Sequence, residues 1–104
     1  MSPLSELNVI RSFVLDESPW YVRSNLDKSN KIIDYSWEWA KSRPASDFKT
    51  DKQRKEAKHS CKKWVKEKYH QNNPKSSLLG GIILNIILNM IINWIVNKIL
   101  DSLF

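Results

Sequence analysis

The side chains with the most catalytic potential in this sequence are two histidines and a single cysteine. His59 and Cys61 are two residues apart, so on a helix their side chains would point about 200° away from each other. That separation prevents a local pair of nucleophile and base. His70 adds a second imidazole, but the three residues do not follow a metal-binding spacing. The sequence therefore predicts neither a catalytic site nor a metal site.

Other sequence signals of enzymatic activity lead to the same prediction. Asp16 and Glu17 precede Ser18 and Pro19, and this combination is better explained by turn formation than by paired acid-base catalysis. The sequence contains no Gly-rich phosphate loop, HExxH or GxSxG motif. One cysteine cannot form a disulfide within the chain. We expect a non-enzymatic protein with no cofactor.

A lysine-rich helical face is the first pattern that points to binding. Residues 41–75 contain twelve basic and four acidic residues, whereas the whole chain carries a net charge of +6. On a helix over 47–70 the apolar residues form one narrow stripe, and lysines cover the other side. The predicted anionic-surface-binding residues are Lys52, Lys55, Lys58, Lys62, Lys63 and Lys66.

The lysine face has three interpretations. It is most often a solvated surface, and its functional alternatives are contact with anionic lipid headgroups and contact with nucleic acid. Its position favours lipid, because the positive-inside rule places basic residues next to an apolar segment on the cytoplasmic side of a membrane. The five tryptophans are not interleaved with the lysines, so a platform for stacking bases is not indicated.

The last quarter of the chain is a long apolar segment with regularly spaced polar residues. No residue from Leu78 to Val96 is charged. A polar residue recurs every four positions, which places these residues in a slanting band on a helix. The band, which we predict to face an oligomer interface or a pore lumen, comprises Asn85, Asn89, Asn93, Asn97 and Asp101. The predicted apolar helix face comprises Leu84, Ile87, Leu88, Ile91, Trp94 and Ile95.

Approximate energies indicate that this helix does not act alone. A helix from Ile82 to Leu103 would be roughly 33 Å long, close to the ~30 Å hydrocarbon core of a bilayer. Its Leu, Ile and Val residues favour insertion by roughly 4 to 7 kcal/mol. Burying four unpaired amides costs roughly 4 to 12 kcal/mol. We therefore expect the amides to pair with other polar groups, as they do between membrane helices.

The elements that position these patterns are predicted to be helices. Only two glycines and no strand-like alternation favour an all-α fold of about four helices, at roughly 3–15, 19–42, 47–70 and 77–103. Ser46 or Asp47 is the predicted cap of the third helix and Ser76–Ser77 that of the last. Residues 1–75 form a small helical region with a basic third helix, and 76–104 form an apolar helix buried in a membrane or an oligomer.

These patterns support two hypotheses about function. The leading one is a membrane-associated or pore-lining assembly component, of the kind that a phage or other virus encodes, which oligomerises through its C-terminal helix. The alternative is a soluble virion or nucleoprotein component whose basic helix contacts nucleic acid. The expected partners are further copies or a larger protein assembly, an anionic membrane surface, and nucleic acid in the alternative. The N-terminal residues lack the pattern of a secretory signal, so we expect a membrane with the basic region on its cytoplasmic side, or a virion.

Overall fold

The computed structural model describes residues 3–73 and 81–103, with side chains from residue 6 onward. Every regular element in these ranges is helical, which confirms the predicted all-α class. The elements are α1 (Pro3–Asp16), α2 (Trp20–Arg23), α3 (Leu26–Lys41), a 3-10 turn (Ala45–Phe48), α4 (Asp51–Asn72) and α5 (Gly81–Ser102). The predicted beginning of the last helix at residue 77, with its Ser76–Ser77 cap, lies outside the described residues.

The predicted second helix over 19–42 is in fact two helices, α2 and α3. Asn25 interrupts it with the non-helical angles φ −132° and ψ 54°. Side chains bond to the backbone at this break: the Asn25 amide donates to the Tyr21 carbonyl, and the Ser29 hydroxyl donates to the Val22 carbonyl. Ser and Asn favour such breaks because their short side chains compete with the helical backbone bonds. The prediction of one continuous helix is therefore incorrect.

A capping box fixes the beginning of α4. The Thr50 hydroxyl accepts a hydrogen bond from the Gln53 backbone N–H at 3.1 Å, and the Gln53 side chain accepts one from the Thr50 backbone N–H at 3.0 Å. This reciprocal pair satisfies two N–H groups that a helix end leaves without partners. The predicted caps, Ser46 and Asp47, lie in the preceding 3-10 turn, so α4 begins later than predicted.

Three helices, α3, α4 and α5, supply most of the core, and α1 and α2 pack against it. Ile33 of α3, Val65 of α4 and Ile95 of α5 are all fully buried. Burial of each such side chain stabilises the fold by about 1.5 to 3 kcal/mol. The two predicted segments, 1–75 and 76–104, contribute to this one hydrophobic cluster.

The beginning and the remainder of α5 have different surroundings. From Leu88 onward the helix packs in the core, and its buried residues are Leu88, Ile91, Ile92, Ile95, Val96, Ile99 and Leu100. Its first turns are exposed, with 80% of Ile82, 74% of Ile83 and 52% of Ile86 accessible to solvent. Among the described helices, α5 is long and apolar enough to cross a membrane. In this fold, however, half of it is the packing partner of α3 and α4.

Candidate functional site: the α4 and α5 surface

An ion pair brings the two predicted binding surfaces together. The Lys58 ammonium of the lysine face lies 2.5 Å from the Asp101 carboxylate, the last member of the polar band. Asp101 also acts on Lys62: burial lowers the pKa of Lys62, the charge of Lys58 lowers it further, and the charge of Asp101 opposes both. The lysine face of α4 therefore borders the polar band of α5.

The same ion pair indicates the relative direction of the two helices. Lys58 lies in the first half of α4 and Asp101 at the end of α5, so the two helices run antiparallel. Lys62 and Lys66 follow Lys58 at four-residue intervals, each about 6 Å along a helix. The lysine face therefore continues from Lys58 away from the carboxyl end of α5.

The polar band lies on the outside of the bundle. Asn89, Asn93 and Asp101 are exposed, whereas Asn85 and Asn97 are half-buried. At about 100° per residue, three of these asparagines share a face with two exposed isoleucines. We call this surface the α5 stripe, and it consists of Ile82, Ile86, Asn89, Asn93 and Asn97. The stripe carries no charge, is apolar at its amino end and bears amides at its carboxyl end.

A second ion pair links α5 to α1. The Lys98 ammonium lies 3.1 Å from the Glu17 carboxylate and 4.7 Å from the centre of the Phe13 ring. Asp16 and Glu17 are both exposed. The carboxyl end of α5 is therefore joined to α4 through Asp101 and to the end of α1 through Lys98.

Most of the lysine face is available to a partner. Lys52, Lys55 and Lys63 are exposed, and the other three predicted lysines are half-buried. Apart from Lys58, none of the six forms an ion pair with another described residue. Lys68 was not among the six predicted lysines. It pairs with Glu38 of α3 and lies over the Trp64 ring. Lys68 therefore belongs to the contact between α3 and α4.

The predicted apolar face of the last helix lies mainly against the protein's own core. Leu88, Ile91 and Ile95 are buried, whereas Ile87 and Trp94 are half-buried. Leu84, one turn from the beginning of α5, is 45% exposed. Glu17 was not among the predicted binding residues, although its partner Lys98 is the lone lysine of α5.

The residues first considered for catalysis are spread over different surroundings. His59 is exposed and Cys61 is fully buried. Burial raises the pKa of the Cys61 thiol to about 12, against the lowering effects of the Lys62 and Arg43 charges. A protonated, buried thiol is a poor nucleophile. Within the described residues, no group of three or more His, Cys, Asp and Glu side chains is arranged to hold a metal ion.

No family model matches this sequence, and it has no match among curated proteins or solved structures.

Proposed function

We propose that this chain is a non-enzymatic assembly component that associates with further copies of itself through the α5 stripe. The lysine face of α4 attaches the assembly to an anionic membrane surface. The observation that carries this proposal is the uncharged stripe, exposed from Ile82 to Asn93, on a helix whose opposite side is core. Exposed apolar side chains that cluster on one helix, as Ile82, Ile83 and Ile86 do at the beginning of α5, mark interaction sites.

The chemistry of the stripe suits a second copy of the chain. An asparagine amide both donates and accepts hydrogen bonds, so a row of asparagines is complementary to an identical row. Ile82 and Ile86, both more than half exposed, supply apolar area next to the amides. Association of this kind buries the isoleucines and gives the amides partners.

Sedimentation of a stripe variant tests the self-association. Ile82→Glu with Ile86→Glu should convert an oligomer into a monomer, because charges would be buried in the contact. Val9→Glu with Leu26→Glu is the matched control, since both of these residues are exposed but lie on α1 and α3. The control should remain oligomeric. A parent chain that is monomeric up to its solubility limit would refute the proposal.

Vesicle binding tests the attachment to a membrane. Replacing Lys52, Lys55 and Lys63 by Glu should weaken binding to anionic vesicles by roughly 1 kcal/mol per residue, and binding to neutral vesicles should change little. The matched control replaces Lys28, Lys31 and Lys49 by Glu. It changes the net charge by the same amount, but these three lysines lie outside the lysine face. Equal losses in the two variants would show that net charge, rather than the lysine face, determines binding.

The packing of α5 favours attachment to the membrane surface over insertion across the bilayer. Its second half is core, so only its first turns are available to lipid in the folded bundle. A bilayer-spanning or pore-lining α5, with the basic region on the cytoplasmic side, would require the helix to leave α3 and α4. Membrane association that survives high salt and carbonate would favour that spanning form.

The unpaired lysines also favour a second candidate function, a soluble virion or nucleoprotein component. Lysines without ion pairs can neutralise phosphates, and the affinity for nucleic acid then falls steeply with salt because counterions are released. The observation is the same row of five lysines on α4. Salt-sensitive binding to duplex DNA or RNA, without binding to anionic vesicles, would favour this candidate over the first.

A further inference from the structure

We infer that the first turns of α5 insert end-on into the apolar layer of a lipid bilayer, with Ile83 and Leu84 as anchoring side chains. We call these turns, residues 82–86, the α5 tip. This inference deepens the proposed attachment to a membrane and rests on it. The lysine face attracts anionic headgroups, whereas the α5 tip contacts the acyl chains of any lipid.

The exposed apolar side chains of the α5 tip point in several directions. Ile82, Ile83 and Leu84 are 80%, 74% and 45% exposed. Consecutive residues of a helix point about 100° apart, so these three side chains extend over more than half of the helix circumference. A second copy bound along the α5 stripe would cover Ile82 and Ile86. Leu84 points to the opposite side of the helix, and Ile83 lies between the stripe and Leu84.

The exposure of Leu84 indicates that the α5 tip extends beyond the packed core. Leu84 lies on the same side of the helix as Leu88, Ile91 and Ile95, and all three of these residues are buried. The side of α5 that packs in the core from Leu88 onward is therefore open at the tip. A flat protein surface would cover such a tip on one side, whereas acyl chains are fluid and cover it on all sides.

The charge and the length of the α5 tip also suit shallow insertion. No residue from Gly81 to Asn97 is charged, so insertion of the tip does not take a charge out of water, which would be costly. The tip spans about 6 Å along the helix axis. Apolar surface of peripheral helices enters the boundary between headgroups and acyl chains by about 5 to 10 Å. Insertion to this depth leaves Leu88 and Ile91 in the core.

The lysine face provides the second attachment that stable membrane binding requires. One apolar anchor alone gives marginal, reversible binding, and an additional basic patch makes it stable. The lysine face runs from Lys58 away from the carboxyl end of α5, and hence toward the end of the bundle that carries the α5 tip. Lys63, in the second half of α4, is exposed. The same membrane surface can therefore contact the tip and these lysines.

Vesicle binding of a tip variant tests the insertion. Ile83→Gln with Leu84→Gln should weaken binding to phosphatidylserine-containing vesicles about tenfold or more, because the inserted apolar area is lost. Glutamine favours helix and leaves the net charge unchanged. The loss should be similar on vesicles of phosphatidylcholine alone, since the tip contacts acyl chains. Val9→Gln with Leu26→Gln is the matched control, because these exposed residues lie on α1 and α3, and it should bind like the parent chain.

Fluorescent labels measure the insertion directly. In a Cys61→Ala background, Ile83→Cys, Leu84→Cys and Leu26→Cys are made separately and labelled with an environment-sensitive fluorophore. Lipids with a nitroxide on the acyl chain should quench the labels at positions 83 and 84, although these positions point about 100° apart. The label at position 26 should not be quenched. Quenching at only one of the two tip positions would mean a one-sided contact and would refute end-on insertion.

The outcomes separate the inference from the proposal on which it rests. A parent chain that binds neither kind of vesicle refutes the proposed membrane attachment and the inference with it. A glutamine variant that binds like the parent chain, with neither tip label quenched, refutes insertion and leaves attachment through the lysine face intact. Tip labels whose emission shifts with protein concentration in the absence of lipid would show that a second copy covers the tip, which also refutes insertion. Weakened binding together with quenching at both tip positions would establish the inference.

Discussion

Lys58 of α4 and Asp101 of α5 form an ion pair, with 2.5 Å between Nζ and Oδ1. The Asp101 side chain is 61% exposed and that of Lys58 is 27% exposed, so solvent screens the attraction. Pairs of this kind stabilise proteins by at most about 1 kcal/mol. The importance of the pair is positional, because it marks where the lysine face of α4 meets the end of the polar band of α5.

A double-mutant cycle should give this ion pair a small coupling energy. We expect Lys58→Met and Asp101→Asn to show a coupling of about 0.2 to 1 kcal/mol, measured by urea unfolding. Added salt should reduce the coupling, because both groups contact solvent. A coupling of several kcal/mol, insensitive to salt, would mean that the pair is buried in an interface.

Truncations along α5 should reveal its two halves. Ile95→Ala should lower the free energy of unfolding by about 2 to 5 kcal/mol, because Ile95 is fully buried and a cavity would remain. Ile83→Ala, at a residue that is 74% exposed, should change the free energy of unfolding of the monomer by no more than about 0.5 kcal/mol. Denaturant unfolding at low protein concentration measures both. Similar small effects would show that α5 is not packed against α3 and α4.

The capping box at Thr50 and Gln53 should stabilise the beginning of α4. Thr50→Ala should destabilise the fold by about 0.5 to 2 kcal/mol, since it leaves the Gln53 backbone N–H without its acceptor. Ser46→Ala should have little effect, because Ser46 lies in the 3-10 turn. Thermal unfolding of the two variants compares them. A larger loss of stability for Ser46→Ala than for Thr50→Ala would instead support Ser46 as the cap, as the sequence predicted.

Cys61 should make stability fall at high pH. Its folded pKa is raised to about 12 from a usual value of 9.0, so the folded state retains the proton while the unfolded state loses it. This contribution is complete below about pH 9 and decreases as the pH rises toward 12. Unfolding measured at pH 8 and pH 11 should show the loss, and Cys61→Ala should show a smaller one.

Reactivity of the same thiol provides an independent check. Iodoacetamide at pH 8 should label Cys61 slowly in buffer and rapidly in urea, because unfolding exposes the thiol and restores its usual pKa. Rapid labelling of the native chain would show that Cys61 is accessible and that the core around it opens.

Asn89 and Asn93 should limit how the α5 stripe associates. Changing both to Leu makes the stripe apolar throughout, so we expect larger, heterogeneous species. Asn8→Leu, at an exposed residue of α1, should leave the size distribution unchanged. Light scattering compares the three chains. A double variant with the size distribution of the parent would show that these amides do not contribute to the contact.

Local patterns predicted the helical class and most of the helices, but not the interruption at Asn25 or the beginning of α4. Apolar periodicity continues across Ser24 and Asn25, so it gives no sign of a break that side-chain hydrogen bonds stabilise. At α4, Ser46, Asp47 and Thr50 are all acceptable caps by residue type. Thr50 is the cap because Gln53 lies three residues later and completes the reciprocal bonds.

The sequence by itself determined that the chain is helical, that one side of α4 is basic, and that α5 carries a repeating polar band. Each of these properties follows from the spacing of residues on one helix. Only the tertiary structure decided that the predicted apolar face of α5 packs against the protein's own helices, and that burial extends beyond that face. The pattern within one helix does not say which surface covers its apolar side. Packing against α3 and α4 buries Ile92, Val96 and Leu100, whereas Asn89 and Asn93 are left on the surface.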